Sequence, residues 1–481
     1  MYNYKQFQLN HSNDSTKKSN LHQLSANQLL SLFNSNGGIY IKLGQHLASL
    51  VYLLPIEYTS TFKVLQDACP PSPYNQLDNV FLKDTGYHIK DYFHTFDLDP
   101  IGVGSLAQVH SGKFNPLTIA TIINPEGQIV KVAVKIQHSY LQNHAALDIK
   151  VCTLLTRLVS TVFPDFQFQW LSEEIAKNLP LELNFLNEHA HADKARLNFT
   201  GFDGLYIPTV LYSKPRILIM EFVEGCKVTD LEFLDRNRID REQVSLMIGK
   251  IYGEMIFKHL FVHCDPHPGN IFIRPRPTMP WYDLRRLLWW KRLNFDLVLL
   301  DHGLYRTLDL GIVVDYAKFW LSIIQADEDQ IERYALRLFS NGMNVTVDGI
   351  SHHRLFSSMV CARSWSSITR SSGAGLGGIV TIRGQDETDH VQQQAHRPRF
   401  LESISNILAK CPPDILLLLK SNDLLRSIDQ NLQVTATKSH LLRVVRQLGW
   451  YCVECVYTYS DGGFYGVLGR LYLLQFYLLF C

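Results

Sequence analysis

The sequence predicts an α+β chain of two lobes, with a helical extension ahead of them. Three segments in fixed order carry that prediction. Val132-Ala133-Val134-Lys135 reads as an apolar strand ending on a lysine. Phe261-Val262-His263-Cys264-Asp265-Pro266-His267-Pro268-Gly269-Asn270 reads as a strand running into a proline-bounded polar loop. Val298-Leu299-Leu300-Asp301-His302-Gly303 is a second apolar strand that closes on an Asp and a Gly. At 481 residues the chain is long enough for two or three lobes with cores of their own.

His263, Asp265 and Asn270 keep the spacing H-x-D-x-x-x-x-N of a protein-kinase catalytic loop. In that loop the Asp faces the attacking nucleophile and the Asn holds magnesium. Asp301-His302-Gly303 reads as the metal-binding D-F-G motif with His302 in place of Phe, and Lys135 ends the strand that presents the ATP lysine. The expected fold is therefore protein-kinase-like. His263 and His267 are four apart, as zinc-binding histidines on a helix are, but Pro266 and Pro268 forbid a regular helix there.

Residues 1–20 are polar and expected to be disordered. Residues 21–95 form the extension. Two helical stretches flank the turn Asn36-Gly37-Gly38, the second carrying Ile39, Leu43, Leu47 and Leu50 on one face and ending at Pro55. Cys69-Pro70-Pro71-Ser72-Pro73 is a rigid linker, and a short helix leads into an N-lobe over residues 96–225. There Gly102-Val103-Gly104-Ser105 is a small-residue turn entering a strand, placed before Lys135 as a phosphate-covering loop would be. Gly102, Gly104 and Ser105 are assigned to ATP on that ground, since glycines let backbone N–H groups approach phosphate. Residues 113–129 make an oversized hairpin loop.

Pro180 opens or kinks one helix running through Leu181, Phe185 and Ala192, with Glu182 and Glu188 on it. A kinase fold needs one helix Glu to pair with the ATP lysine, and Glu182 is the expected partner of Lys135. Ile217–Met220 reads as a strand and Glu221-Phe222-Val223-Glu224-Gly225 as the hinge, with Glu221 and Val223 assigned to the nucleotide. The C-lobe spans residues 226–445, is expected to be all-helical after Asp301, and holds two inserts. Residues 274–294 mix Trp281, Trp289 and Trp290 with Arg285, Arg286, Lys291 and Arg292, which suits a membrane surface or an ordinary protein contact. Residues 366–395 are rich in Ser, Gly and Gln. Their run Gly373–Gly378 lacks a following Lys-Ser/Thr, so it is a flexible loop rather than a P-loop. Residues 446–481 form an apolar tail.

Lys plus Arg is 46 and Asp plus Glu 45, a net charge of +1, so nothing global favours nucleic acid. The nine cysteines are scattered, and Cys452-Val453-Glu454-Cys455 has no second pair to complete a zinc set. No apolar run reaches the roughly 20 residues that span a bilayer. The nearest, Phe464 to Phe480, is interrupted by Arg470 and reads either as a packed helix or as an interfacial one. The N-terminus shows no secretory h-region and no Arg-rich presequence, so targeting is internal or the start lies upstream.

Several motifs go beyond a generic kinase pattern. They are Asn36-Gly37-Gly38 followed by Lys42-Leu43-Gly44-Gln45, then Ser105-Leu106-Ala107-Gln108-Val109-His110, Leu181-Glu182-Leu183-Asn184-Phe185-Leu186-Asn187-Glu188, and His263-Cys264-Asp265-Pro266-His267-Pro268-Gly269-Asn270. On these the chain resembles the aarF-domain (UbiB-type) atypical kinases over roughly residues 20–445. Tyr52-Leu53-Leu54-Pro55, Ser421-Asn422-Asp423-Leu424-Leu425-Arg426 and Asp301-His302-Gly303-Leu304-Tyr305 are similar to the mitochondrial aarF-domain kinase 1 branch. The resemblance implies an extension folded over the active site, with Lys42 and Gln45 of the K-x-G-Q motif as gating residues and Glu182 or Glu188 as partner of Lys42. It implies Lys135 as the ATP lysine with Glu182 beside it, Asp265 as the catalytic Asp, and Asn270 and Asp301 as Mg2+ ligands. The implied function is Mg-ATP-dependent kinase or ATPase chemistry on a small or lipid-like acceptor, in mitochondrial lipid, quinone or inner-membrane homeostasis. Its alternative is a nucleotide-sensing scaffold without catalysis. Two departures stand out: the family's E-x-D motif is Glu182-Leu183-Asn184 here, and Gly102 and Gly104 stand where the family favours alanine.

Overall fold

The computed structural model describes residues 15–49, 54–66, 69, 71–114, 131–162, 169–276, 293–339, 346–347, 350–361, 363–369, 371–372, 376–377, 411–434 and 437–459. The chain divides into two units. The first comprises Met1–Leu197, Ile207–Glu224 and Asp301–Leu304; the second comprises Asn198–Tyr206, Gly225–Leu300 and Tyr305–Cys481. One boundary, Glu224/Gly225, lies inside the segment that the sequence marks as a hinge.

The first unit opens with helix α1 (Ser15–Asn36), α2 (Gly38–Ser49) and α3 (Ile56–Phe62). The start of α1 corrects the expectation of disorder through residue 20. Its polar first turns dock on α3 through polar contacts, Ser19 with Glu57 and Gln23 Nε2 to Thr61 Oγ1 at 2.9 Å, which composition alone does not reveal. Gly37 ends α1 at φ +69°, donating to Phe33 O at 2.9 Å, and Gly38 (φ +44°) donates to Tyr140 Oη at 3.0 Å. A Cβ on Gly38 would meet Leu141 at 2.7 Å, so both conformation and space require glycine. Pro55 stands as the N-cap of α3, and residues 50–53 ahead of it lie outside the described residues.

These helices bury a small core of their own: Phe33, Ile41, Ala48, Phe62 and Leu65. Leu43 and Leu47 pack on it from its edge, and Leu50 lies outside the described residues. Helix α4 (Tyr74–Thr85) belongs elsewhere. Its Leu77, Val80 and Phe81 join Val132, Val134, Ile136, Ile217 and Ile219 in the core of the sheet. The expected extension therefore holds two things, a helical cluster ending near Leu65 and a helix that is part of the sheet layer.

That sheet contains β1 (Phe93–Phe96), β2 (Gly102–Val103), β3 (Ala107–Phe114), β4 (Lys131–Gln137), β5 (Val210–Lys214) and β6 (Ile217–Glu221). The order is β1-β3-β4-β6-β5, with β2 on β3, and every pairing is antiparallel. Strand β4 is central: Val132, Val134 and Ile136 alternate onto the core face, while Ala133 and Lys135 lie on the other. Lys135 stands opposite Val109 and Leu218 near its end. The long loop after β3 lies outside the described residues.

Helix α5 (Leu141–Val162) is followed by α6 (Gln169–Glu182) and α7 (Phe185–Asn198). The sequence reading of one helix through Pro180 is corrected here: α6 tolerates Pro180 and stops two residues later, at Leu183-Asn184. Asn184 then caps α7, its Oδ1 accepting from Leu186 N at 3.2 Å.

In the second unit the short strand Leu205–Tyr206, β7 (Cys226–Lys227), β9 (Ile271–Pro275) and β10 (Phe295–Leu299) form a four-stranded sheet, with β10 parallel to Leu205–Tyr206. A second pair, β8 (Phe261–His263) with β11 (Tyr305–Thr307), is antiparallel. Helices α8 (Arg241–Gly253), α9 (Leu310–Gln325), α10 (Glu328–Leu338), α11 (His352–Cys361), α12 (Pro413–Asn431) and α13 (Lys438–Tyr459) supply most of the rest. Short strand pairs at 346–351 and 371–377 show that the region after Asp301 is not purely helical. The expected boundary at 445/446 falls inside α13. Cys452 and Cys455 lie buried on that helix, where burial raises both thiols, so neither is poised for redox or metal chemistry.

The insert at 274–294 extends the β9–β10 hairpin. Its stem is clasped by Arg274–Asp296 (2.9 Å), Arg276–Asp296 (2.6 Å) and Arg276–Asp203 (2.7 Å). The tryptophans and cations at 281–292, most of the 366–395 insert and the aromatic run at 464–480 lie outside the described residues. No helix among the described residues is long and apolar enough to cross a membrane.

Gly44 generates a stability prediction. A Cβ on it would sit 2.3 Å from Leu65 Cδ1 and 2.8 Å from Phe33 Cδ2, both side chains buried. Gly44→Val should destabilise the protein by about 2 kcal/mol through overpacking. Urea unfolding measures it, and a wild-type midpoint would show that α1 and α2 do not pack closely.

Candidate functional site

Lys135 projects from β4 into a buried pocket of charge. Its Nζ is 2.8 and 2.9 Å from the two carboxylate oxygens of Glu188 on α7, and 3.5 Å from Asp301 Oδ2. Glu188 is 2% exposed, and its Oε1 also accepts from His302 N at 3.4 Å. His302 is itself buried, and its carbonyl accepts from His191 Nδ1 at 3.1 Å. His302 thus fills the place of the motif's Phe as a buried spacer tied at both ends of its backbone. Gly303 N donates to Asp301 Oδ1 at 2.9 Å, which fixes the turn that displays the Asp301 carboxylate, 41% exposed.

The electrostatics follow from this geometry. Burial works against the Lys135 ammonium, but the Asp301 and Glu188 carboxylates outweigh it and hold its pKa above the ordinary lysine value. Burial pushes the Glu188 carboxyl up to about 7, with Lys135 pulling the other way and Asp301 adding to the rise. Lys135 stays a cation, fixed among acids and able to face a polyanion.

The expected partner of Lys135, Glu182, is corrected by the same geometry. Glu182 ends α6 on the far side of the Leu183-Asn184 break and pairs with Lys42, Nζ to Oε2 at 2.8 Å. Both side chains are nearly buried, at 13% and 7% exposed. The break reorients the chain between the two acids, so each meets a different lysine. Glu188, assigned to gating by the resemblance, is the Lys135 partner.

Gln45 reaches the loop between β2 and β3. Its Nε2 donates to Leu65 O at 2.8 Å, and its Oε1 accepts from Ser105 Oγ at 3.4 Å. Gly104 N donates to Ala107 O at 2.8 Å, closing the tight turn, while nothing lies within 4 Å of a Cβ on Gly102. Sequence reasoning missed two further residues that hold this loop. His138 Nε2 lies 3.0 Å from Gly104 O and its Nδ1 2.8 Å from Ser72 Oγ, while Ser72 N donates to Gln108 Oε1 at 2.6 Å. Burial lowers the His138 pKa, so the ring is neutral; the network assigns its proton to Nε2, donating to Gly104. Only the proline-bounded place of Ser72 in the linker was visible beforehand.

Glu221 ends β6 opposite Val132; its N donates to Thr209 O at 2.9 Å, and its Oε2 accepts from Thr209 N at 3.3 Å. Lys131 covers the Phe222 ring at 3.8 Å from its centroid, and Val223 is half-buried.

In the second unit, β8 delivers the loop His263–Asn270. Asp265 N donates to His263 Nδ1 at 3.2 Å. Asp265 O accepts from His267 N at 2.7 Å and from Asn270 Nδ2 at 3.2 Å. This closed backbone holds the Asp265 carboxylate outward, 33% exposed, and Lys420 Nζ of α12 lies 3.6 Å from its Oδ1. Donation through Nδ2 leaves the Asn270 amide oxygen as the side chain's acceptor atom. His267 Nδ1 accepts from Gly269 N at 3.1 Å as the cap of a short turn, a structural use of the ring. Among the described residues no cluster of three or more His, Cys, Asp or Glu is arranged to hold a metal ion. The Asp301 carboxylate of the first unit and the Asn270 amide of the second are each hard oxygen donors, the ligand type that suits magnesium better than zinc.

Residues 64–335 match the ABC1 atypical kinase-like domain. AarF domain-containing protein kinase 1 of Gallus gallus is 37% identical over 458 residues, covering 95% of this chain and 79% of that protein. The Mus musculus protein of the same name is 39% identical, covering 89% of this chain and 74% of its own length. ABC1 family protein MCP2 of Saccharomyces cerevisiae is 36% identical, covering 91% and 72%. Among solved structures, the Rv3197–erythromycin complex of Mycobacterium tuberculosis overlays with a TM-score of 0.44 at 18% identity, covering 81% of this chain and 94% of that one, too distant to assign any residue.

The Lys42–Glu182 pair yields a double-mutant test. Lys42→Ala leaves a nearly buried carboxylate without its cation and should cost about 3 kcal/mol. Adding Glu182→Gln should recover more than half of that loss, because the uncompensated charge disappears. Additive losses in urea unfolding would show that the two side chains do not interact.

Proposed function

The chain belongs to the ABC1/aarF atypical kinase family, and from that premise we propose that it is an Mg-ATP-dependent phosphotransferase or ATPase. The observation that carries this reading is the charged trio Lys135–Glu188–Asp301, with Glu188 buried and Asp301 half-exposed. A lysine steadied by one acid and facing a second, half-exposed acid is the arrangement that binds nucleotide phosphates and their metal.

In this reading Lys135 binds the α- and β-phosphates, and Glu188 keeps its ammonium in place. Backbone N–H groups of Gly102 and Ser105 face the phosphates, the Gly104 N–H closes the turn that presents them, and Glu221 and Val223 offer main-chain groups to the base. Asp301 and Asn270 supply the oxygen donors for Mg2+. When bound there, the ion neutralises charge on the phosphate oxygens. Asp265 orients a hydroxyl or water toward the γ-phosphate. Glu182, displaced from the lysine site, acts with Lys42 and Gln45 as the hold that keeps the extension beside the phosphate loop. A small or lipid-like acceptor fits a family whose extension occupies the groove where a protein kinase lays its peptide. The mitochondrial setting, with a role in lipid, quinone or inner-membrane homeostasis, rests on the resemblance to the aarF kinase 1 branch.

Magnesium-dependent ATP turnover by purified wild type, Lys135→Ala, Asp301→Ala and Lys42→Ala tests the reading, with circular dichroism as the folding control. Lys135→Ala and Asp301→Ala should lose turnover by several orders of magnitude, the scale of several kcal/mol of transition-state charge stabilisation. The folded fraction of Lys42→Ala should show a changed ADP-to-ATP preference. Wild-type turnover in folded Asp301→Ala would sink the enzyme assignment, and nucleotide binding without any wild-type turnover would favour the scaffold.

A membrane-surface partner is the second part of the proposal, drawn from the Trp and cation run at 281–292 and the aromatic run at 464–480. Full-length protein should float with liposomes containing anionic lipid, and replacing both segments should abolish flotation. Failure of the full-length protein to float removes the idea.

A further inference from the structure

We infer that Lys420 is a catalytic cation for the γ-phosphate, supplied to Asp265 by a helix about 150 residues further along the chain; the inference rests on the phosphotransfer reading above. Its ammonium lies 3.6 Å from Asp265 Oδ1, with the lysine 20% and the aspartate 33% exposed.

The catalytic loop cannot meet this need itself. Phe261–Asn270 contains neither Lys nor Arg, and His267 turns its Nδ1 to capping Gly269. A phosphoryl group in transfer spreads negative charge over its non-bridging oxygens, and fixed cations aimed at that charge are a large part of catalysis. An Asp that orients a nucleophile repels those oxygens unless a cation stands beside it.

The fold places Lys420 there by several independent ties. Strand β11 pairs with β8, the strand that leads into the catalytic loop. Arg306 on β11 holds Asp414 in the first turn of α12, Nε to Oδ1 at 2.8 Å, and Asp309 N donates to the same carboxylate at 3.3 Å. Two turns on, Asn422 Nδ2 donates to Tyr316 Oη at 2.9 Å. Leu418 and Ser421, on either side of Lys420, are fully buried, which fixes the helix face. The helix is thus anchored before and after Lys420, while the ion pair itself is long and partly open. A lysine needed only to brace Asp265 would be expected closer and more buried; one that must meet a ligand needs this reach.

In the transfer step the acceptor oxygen bonds to the γ-phosphorus as the bond to the β,γ-bridging oxygen breaks. ADP leaves with that electron pair, and the acceptor proton passes to the Asp265 carboxylate. Lys420 keeps its protons throughout and donates hydrogen bonds to the non-bridging γ-oxygens. It therefore contacts ATP but not ADP.

The test compares wild type, Lys420→Ala and Lys420→Arg in the full chain, reading ADP affinity, affinity for a non-hydrolysable ATP analogue, kcat, KM and thermal midpoint. Lys420→Ala should keep its midpoint and its ADP affinity within about two-fold, bind the ATP analogue on the order of ten-fold more weakly, and lose on the order of 100-fold in kcat. Lys420→Arg should retain most of the rate. A folded Lys420→Ala protein with wild-type kcat and an unchanged ATP-to-ADP affinity ratio overturns the inference. So does an equal loss of both affinities together with a lowered midpoint, the signature of a brace. If wild type binds nucleotide without turnover, the phosphotransfer reading fails, and the affinity ratio alone decides Lys420. If wild type binds neither nucleotide, both fail.

Discussion

Two residues of non-helical backbone, Leu183 and Asn184, govern the charge layout of the first unit. They end α6 and start α7, so Glu182 and Glu188 belong to different helices although only six positions separate them. Without the break the two acids would share one helix, about one and two-thirds turns apart, and point in different directions from a common axis. With it, one meets Lys42 from the extension and the other meets Lys135 from the sheet. Buried lysines and buried glutamates are each costly alone, so this pairing constrains both sides at once. Asn184 contributes as a cap: its side-chain oxygen satisfies an N–H at the start of α7. The replacement of a family carboxylate by this amide keeps the capping chemistry, since Asn and Asp cap equally well.

The helical cluster of the extension holds its end of that arrangement by shape. Gly44 lets α2 approach Phe33 and Leu65, and the Gly37-Gly38 turn slides under Tyr140. A helix seated this closely has little freedom to rotate, so Lys42 and Gln45 keep a fixed outlook. Gln45 reaches Ser105, and Ser72 reaches Gln108 and His138, so the segments before the sheet grip the loop between β2 and β3 at two places. The loop is short of side-chain bulk, and its order comes from these outside contacts together with the Gly104–Ala107 turn.

Much of the site was legible in the residues. The strand with Lys135, the loop with Asp265 and Asn270, and the turn with Asp301 are local motifs, since each needs only a strand and a few following residues to make its geometry. Their expected strands are present as β4, β8 and β10. The identity of the lysine partner was not legible. Glu182 and Glu188 lie on the same stretch, six positions apart, and a proline at 180 is a stronger visible breaker than the Leu-Asn pair where the helix stops. The start of α1 was hidden for a related reason: its stabilising contacts are polar and come from α3, far along the chain. Ser72, His138 and Lys420 carried no local signal, because each acts on a segment distant in sequence.

The sequence by itself determined the chemistry available: which lysines, acids and amides stand at strand ends and in loops, and the order in which strands and loops present them. Period, breakers and short motifs are local properties, and local geometry follows from them. The tertiary structure alone decided the pairings, Lys135 with Glu188, Lys42 with Glu182 and Lys420 with Asp265. Charge pairing depends on distance and burial, and neither is defined until the helices have packed.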